Sequence, residues 1–96
     1  MIAVHVSETG ITADGHAGYA ETGKDIVCSA VSVLAWNLIC SFEDLTDDSI
    51  EYEKSAGHIR ITYRNLSEKG KLLVDSFFIG ISEIIKTYGQ EYVQLI

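Results

Sequence analysis

The chain has 96 residues, 14 acidic against 7 basic, for a net charge of −7. That length makes one domain, large enough for a single core and marginal in surface-to-volume terms, so oligomerisation would help it. The acidic balance and the lack of any basic run argue against nucleic-acid binding, which needs a basic surface for phosphates, and are compatible with a basic protein partner.

Ile2, Val4 and Val6 alternate with Ala3, His5 and Ser7, the pattern of a half-buried strand. Glu8–Gly10 supplies a turn and Ile11–Asp14 a return strand, giving a hairpin. Residues 15–24 hold three glycines and little apolar periodicity, which predicts a loop of small and polar residues suited to a mobile flap. Asp25 is placed to cap a helix, and Ile26–Ile39 runs apolar on nearly every face, so more than one side of it must be covered. Glu43–Asp48 reads as an acidic break.

Ile50 and Tyr52 then alternate with Glu51 and Glu53, Ser55–Gly57 turns, and Ile59, Ile61 and Tyr63 alternate with His58, Arg60 and Thr62. This is a second hairpin with one polar face, where Glu51 and Glu53 can sit opposite Arg60 and Thr62. His5 and His58 fall on polar sets and are expected to face solvent. Ser67 caps a second helix with Leu72, Leu73, Phe77, Ile81, Ile84, Ile85 and Tyr88 at helical spacing, and Gly89 fits its stop. Tyr92, Val93, Leu95 and Ile96 suggest a short final strand. The order β-β-α-β-β-α(-β) over residues 1–96 predicts a small single α+β domain. Its two apolar helices would be covered by short antiparallel sheets and a dimer partner.

Two cysteines are no disulfide framework. Cys28 and Cys40 lie on one predicted helix about 18 Å apart along its axis, too far to bridge. The opening MIAVHVSETG has no basic segment followed by an apolar run, and no long apolar stretch is free of a charged or strongly polar break. A reducing cytosol is the expected compartment.

Cys28 falls in the first turn of the predicted helix, where unpaired backbone N–H groups and the positive end of the dipole favour a thiolate. His16, earlier in the chain, is a candidate base for that thiol. Ser32 lies one turn beyond Cys28 on the same face, and Gly15 and Gly23 let the backbone turn sharply at the loop ends. Asp25 has two competing roles: it caps the helix through Val27 or Cys28, which the spacing supports directly, or it orients His16. A cysteine in an apolar helix is ordinarily a small buried hydrophobe, and that reading stands for Cys40.

The wording around these residues adds a resemblance. GHA at Gly15–Ala17, a short glycine-containing stretch, and GKDIVCSAVS at Gly23–Ser32 resemble the ribosomal-processing cysteine protease family of bacteria. That family has GHA, a mobile loop, then G-x-D-I-V-C-A-A-V-S opening a helix. By this resemblance His16 matches the catalytic histidine and Cys28 the nucleophile, with Gly15, Asp25 and Ser32 at supporting positions. Ser29 stands where Ala is commoner, and Asp14 puts a charge before the GHA where an apolar residue is commoner. The resemblance implies a dimeric cysteine endopeptidase with a His–Cys dyad and no cofactor. Its substrate would be a large-subunit ribosomal protein precursor, relieved of a short N-terminal extension during ribosome assembly, with no nucleic acid or membrane as partner. The family's substrate segment ends in paired aromatic residues and would suit an apolar groove, for which Phe77 and Phe78 are candidates. Two other classes compete. One is a non-catalytic module binding a basic ribosomal partner, with Cys28 buried. The other is a metal site on His16 and Cys28, which would need His5 and Cys40 brought close because structural zinc takes four ligands.

Overall fold

Both hairpins form, and they join. Strand β1 (Ile2–Val6) pairs antiparallel with β2 (Gly10–Asp14), and β3 (Ile50–Ser55) pairs antiparallel with β4 (His58–Tyr63). A computed structural model of Met1–Ile96 shows β2 also pairing with β4, and β5 (Val93–Leu95) adding parallel to β1. The result is one mixed sheet of five strands in the order β3-β4-β2-β1-β5, rather than separate antiparallel sheets. The hairpins merge because Ile11 faces Ile61 and Ala13 faces Ile59 across β2–β4, so joining them extends a single apolar face. Glu51 stands opposite Thr62 and Glu53 opposite Arg60, the register the alternation predicts.

Helices α1 (Ile26–Leu45) and α2 (Glu68–Tyr88) cover that apolar face. From α1 the buried stripe is Val27, Val31, Ala35, Leu38, Ile39 and Phe42, and from α2 it includes Val74, Phe77, Ile81 and Ile84. A Cβ added at Gly80 would lie 2.8 Å from Leu34 Cδ1, so the two helices approach closely there. The predicted acidic break does not stop α1. Glu43 and Asp44 are solvated in its last turn, and the helix ends only where Thr46 Oγ1 donates to Phe42 O at 2.8 Å. Asp48 then accepts from both the amide and the hydroxyl of Ser67, whose oxygen in turn accepts from Gly70 N and caps α2.

By length and composition, with mean hydropathy 1.7, α1 is apolar enough to cross a membrane. The polar breaks seen in the sequence are too few to exclude that by composition. Its placement does more, since its stripe forms the core of the domain. The opposite side is not covered by the sheet: Val33 on α1, and Leu72, Phe78 and Ile79 on α2, are exposed.

Candidate active site

The first turn of α1 is organised by one carboxylate. Asp25 is buried; its Oδ1 accepts from Val27 N and Cys28 N, each at 3.0 Å, and its Oδ2 accepts from Tyr19 N at 3.0 Å and Ala20 N at 3.4 Å. Burial alone would raise its pKa, but the backbone donors from Cys28, Ala20, Tyr19 and Val27 together hold it below the ordinary 3.8. Both oxygens are thus taken by backbone N–H groups, and none of its bonds reaches His16. Of its two competing roles, the structure gives Asp25 that of the cap.

The same carboxylate holds the loop ahead of the helix. Ala17 is buried and its N–H donates to Cys28 Sγ at 3.2 Å. Tyr19 meets Tyr88 and Tyr92 edge-on, with ring centroids 5.5 and 5.1 Å apart. The stretch from Ala17 to Ala20 is therefore fastened to the protein by hydrogen bonds and aromatic contact, which is more than the flap reading predicts. The first-turn amides of Val27 and Cys28, expected to be unpaired beside the sulfur, are already used by Asp25. The donor aimed at the sulfur comes from the loop instead.

His16 lies across the cleft from this turn. The Gly15 amide donates to Gly57 O at 2.8 Å, and the Met1 ammonium donates to the His16 carbonyl. The imidazole rests on Gly57: a Cβ there would sit 2.8 Å from His16 Nε2, at a backbone φ of +70° that side chains rarely adopt. Gly15 is held as tightly, with φ +105° and a Cβ position 2.3 Å from Met1 O. A cleft of about 240 Å³ brings together His16, Cys28, Ser32, Lys54, Gly57 and His58. His16 and Ser32 are exposed and Cys28 half-buried.

The wall made by the β3–β4 turn is what sequence reasoning missed. His58 is not a freely solvated strand residue: it is half-buried, lines the cleft, and its Nδ1 pairs with Asp14 Oδ1. Asp14 and His58 are facing partners on β2 and β4, so the charge ahead of the GHA is met by His58. The only hint in the sequence is an acidic residue at one strand end and a histidine at another, and pairing across 44 positions is not readable from either. Phe77 and Phe78 do not line the cleft; Phe77 is in the core and Phe78 points outward from α2. His5 does face solvent, its Nδ1 within 3.0 Å of Ile96 O. No three His, Cys, Asp or Glu side chains are grouped to hold a metal, so His5 and Cys40 do not complete a site with His16 and Cys28.

Chemically, a half-buried thiol sits at a helix N-terminus with an N–H aimed at it, and an imidazole shares its cleft. The sequence matches the family of cysteine protease Prp over residues 1–94. It is 33% identical over 99 positions to the ribosomal processing cysteine protease Prp of Mycoplasma pneumoniae, covering 100% of this chain and 91% of that protein. It is 40% identical over 55 residues to its counterpart from Mycoplasma genitalium, a match spanning 57% of this chain and 52% of the other. The fold superposes with TM-score 0.86 on the S. aureus ribosomal processing protease Prp bound to a covalently linked product peptide, at 23% identity over 98% of this chain and 94% of that one. A Streptococcus mutans protein aligns with TM-score 0.79 at 31% identity, over 99% and 91% of the two chains. With the family match running from the first residue almost to the last, this chain belongs to the cysteine protease Prp family.

Proposed function

We propose that the protein is an endopeptidase that uses Cys28 as nucleophile and His16 as acid and base to remove a short N-terminal extension from a large-subunit ribosomal protein during ribosome assembly. The observation that carries this reading is the Ala17 N–H, 3.2 Å from Cys28 Sγ at the head of α1, in the cleft that also holds His16. That donor and the helix N-terminus both favour negative charge on sulfur. His16 removes the thiol proton, and the sulfur attacks the peptide carbonyl to form a C–S bond. The oxygen that becomes negative takes over the Ala17 N–H. His16 returns the proton to the leaving nitrogen as the C–N bond breaks, then draws a proton from water, which attacks the thioester and frees the thiol. The His16 ring makes no hydrogen bond in the free protein, so it can turn from sulfur to leaving group without breaking one.

Asp25, Gly15 and Ser32 support this dyad in different ways. Asp25 fixes the turn under the sulfur, Gly15 lets the chain pass Met1, and Ser32 lines the cleft one turn below Cys28. A net charge of −7 favours a basic precursor, and the relatives named as ribosomal processing proteases support a ribosomal one. A ribosomal precursor is met in the cytoplasm, which is the compartment this reading assigns to the enzyme. The exposed Val33, Leu72, Phe78 and Ile79 suit burial in a homodimer.

Mass spectrometry of the extended ribosomal protein tests this. Wild type should make a single cut, Cys28→Ala none, and His16→Ala should slow it by about 10²–10⁴-fold. No cut by wild type, together with a Cys28 that resists alkylation in the folded protein, would sink the protease reading and favour a binding module.

A further inference from the structure

The His16 ring makes no hydrogen bond, so its place is set by what it rests on and by what holds that support. Two strands end beside it. Asp14 closes β2 and His58 opens β4, and the two face each other across the ladder, with Ala3 of β1 on the far side of Asp14. His58 Nδ1 bonds to Asp14 Oδ1; an ionised carboxylate only accepts, so Nδ1 carries the proton. One residue beyond this rung, the Gly15 amide donates to Gly57 O at 2.8 Å. One residue further along the chain from Gly15, the His16 ring lies against Gly57.

Both glycines of that backbone contact have positive φ, +105° at Gly15 and +70° at Gly57. Glycine has the widest backbone freedom of any residue, so neither restrains its own conformation. The segment carrying His16 and the turn beneath its ring are held together here by one backbone bond and by the side chains of the rung before it. The Asp14–His58 bond is that brace. Of the four pairings of acid with base, it alone joins two elements of the fold; Glu21 with Lys24, Glu68 with Lys71 and Glu83 with Lys86 each span three residues. It is also charge-assisted through the carboxylate, the stronger kind of hydrogen bond.

We infer that Asp14 and His58 are positioning residues for the reaction: their bond fixes the ends of β2 and β4 against each other and, through Gly57, holds the His16 ring in the cleft with Cys28. Neither residue is bonded to the thiol, whose donor is Ala17, so the pair acts through His16. This deepens the protease reading and rests on His16 as its base. The Asp14 and His58 side chains are 54% and 30% exposed, so trimming either leaves no buried cavity and the variants fold.

Two readouts separate placement from chemistry. The nuclear Overhauser effect between the His16 ring protons and the Gly57 α-protons reports placement with no substrate present. The rate at which iodoacetamide alkylates Cys28, followed by mass spectrometry to set it apart from Cys40, reports the thiol that His16 activates. Asp14→Ala and His58→Ala should each remove most of the Overhauser effect and slow alkylation about tenfold. The double variant should do no more than either alone, because the same bond is lost in all three. Asp14→Asn keeps an oxygen for the Nδ1–H and should bring alkylation back to within about twofold of wild type, with the Overhauser effect restored. Arg60→Ala, which trims the β4 residue facing Glu53, is the control for weakened strand pairing and should leave both readouts unchanged. In a His16→Ala background, Asp14→Ala should slow alkylation no further. An Overhauser effect that survives both alanine substitutions would overturn the proposal, as would its equal loss in Arg60→Ala or an Asp14→Ala effect on alkylation that persists without His16. Should His16→Ala be alkylated as fast as wild type, the protease reading loses its base, and the Overhauser effect still decides whether the pair places the ring.

Discussion

Asp25 is the residue whose removal should be felt most widely, because one carboxylate serves both the helix and the loop. In Asp25→Ala the cap to Val27 and Cys28 is lost, worth about 1 kcal/mol. The bonds from Tyr19 and Ala20 are lost too; both residues are exposed and their amides rehydrate, so each contributes about 0.5 kcal/mol. The sum is about 2 kcal/mol, or roughly 10 °C in Tm for a domain of this size. Asp25→Asn separates the two roles. Asparagine caps nearly as well as aspartate, but its NH2 would face the Tyr19 and Ala20 donors, so the loop is released while the helix stays capped. The asparagine variant should therefore lose about half as much stability as the alanine one, about 1 kcal/mol, and as much peptidase activity. Thermal unfolding by circular dichroism, with activity on the precursor, reads both. The native carboxyl is held below 3.8, so its contribution is present above pH 3.8 and is lost as pH falls through the folded value. The gap between wild type and Asp25→Ala should stay constant around neutral pH and close in acid. An alanine variant within about 0.5 kcal/mol of wild type at neutral pH would refute this account.

Three further outcomes follow from single contacts. Gly57→Ala would put a Cβ 2.8 Å from His16 Nε2 at positive φ, so precursor cleavage should fall at least about tenfold for only about 1 kcal/mol of stability in urea unfolding. Tyr63→Phe removes the hydroxyl that donates to Ser7 O at 2.8 Å, and should destabilise by about 1 kcal/mol at neutral pH. Burial pushes the Tyr63 phenol from 10.0 up to about 12, so the protection it gives is full below pH 10 and lost as pH rises through about 12. Alkaline titration of stability should show that loss in wild type and lack it in Tyr63→Phe. Ser67→Ala takes the acceptor from Gly70 N and a partner from Asp48, and should cost about 1 kcal/mol in the same unfolding assay.

What the sequence discloses here is mostly what lies within one turn or one hairpin. Caps at Asp25 and Ser67 are readable because the acceptor and its donors are two or three residues apart. The pairing of Glu53 with Arg60 follows from a two-residue turn that fixes register locally. The end of α1 is where local reading misleads. Acidic residues in a last turn oppose the helix dipole by a fraction of a kcal/mol, whereas burying Phe42 in the final turns contributes about 2 kcal/mol. Burial is the larger effect, and Phe42 is fully buried.

The site divides along the same line. Cys28 and Asp25 sit in one helical turn, so their relation is a property of sequence. His16 is near them in the chain, yet its ring is set by Gly57, and the second imidazole of the cleft comes from His58 by pairing of β2 with β4. Neither contact leaves a mark in any short window of residues. The loop closes the argument physically: Asp25 grips Tyr19 and Ala20 while Ala17 grips the sulfur, so the segment carrying His16 is tied to the turn carrying Cys28 through three backbone amides. In the proposed mechanism, acylation turns that sulfur into a thioester and weakens it as the acceptor for Ala17. The loop is then held chiefly by Asp25 and the tyrosine contacts, in the state that the proposed mechanism needs water to enter.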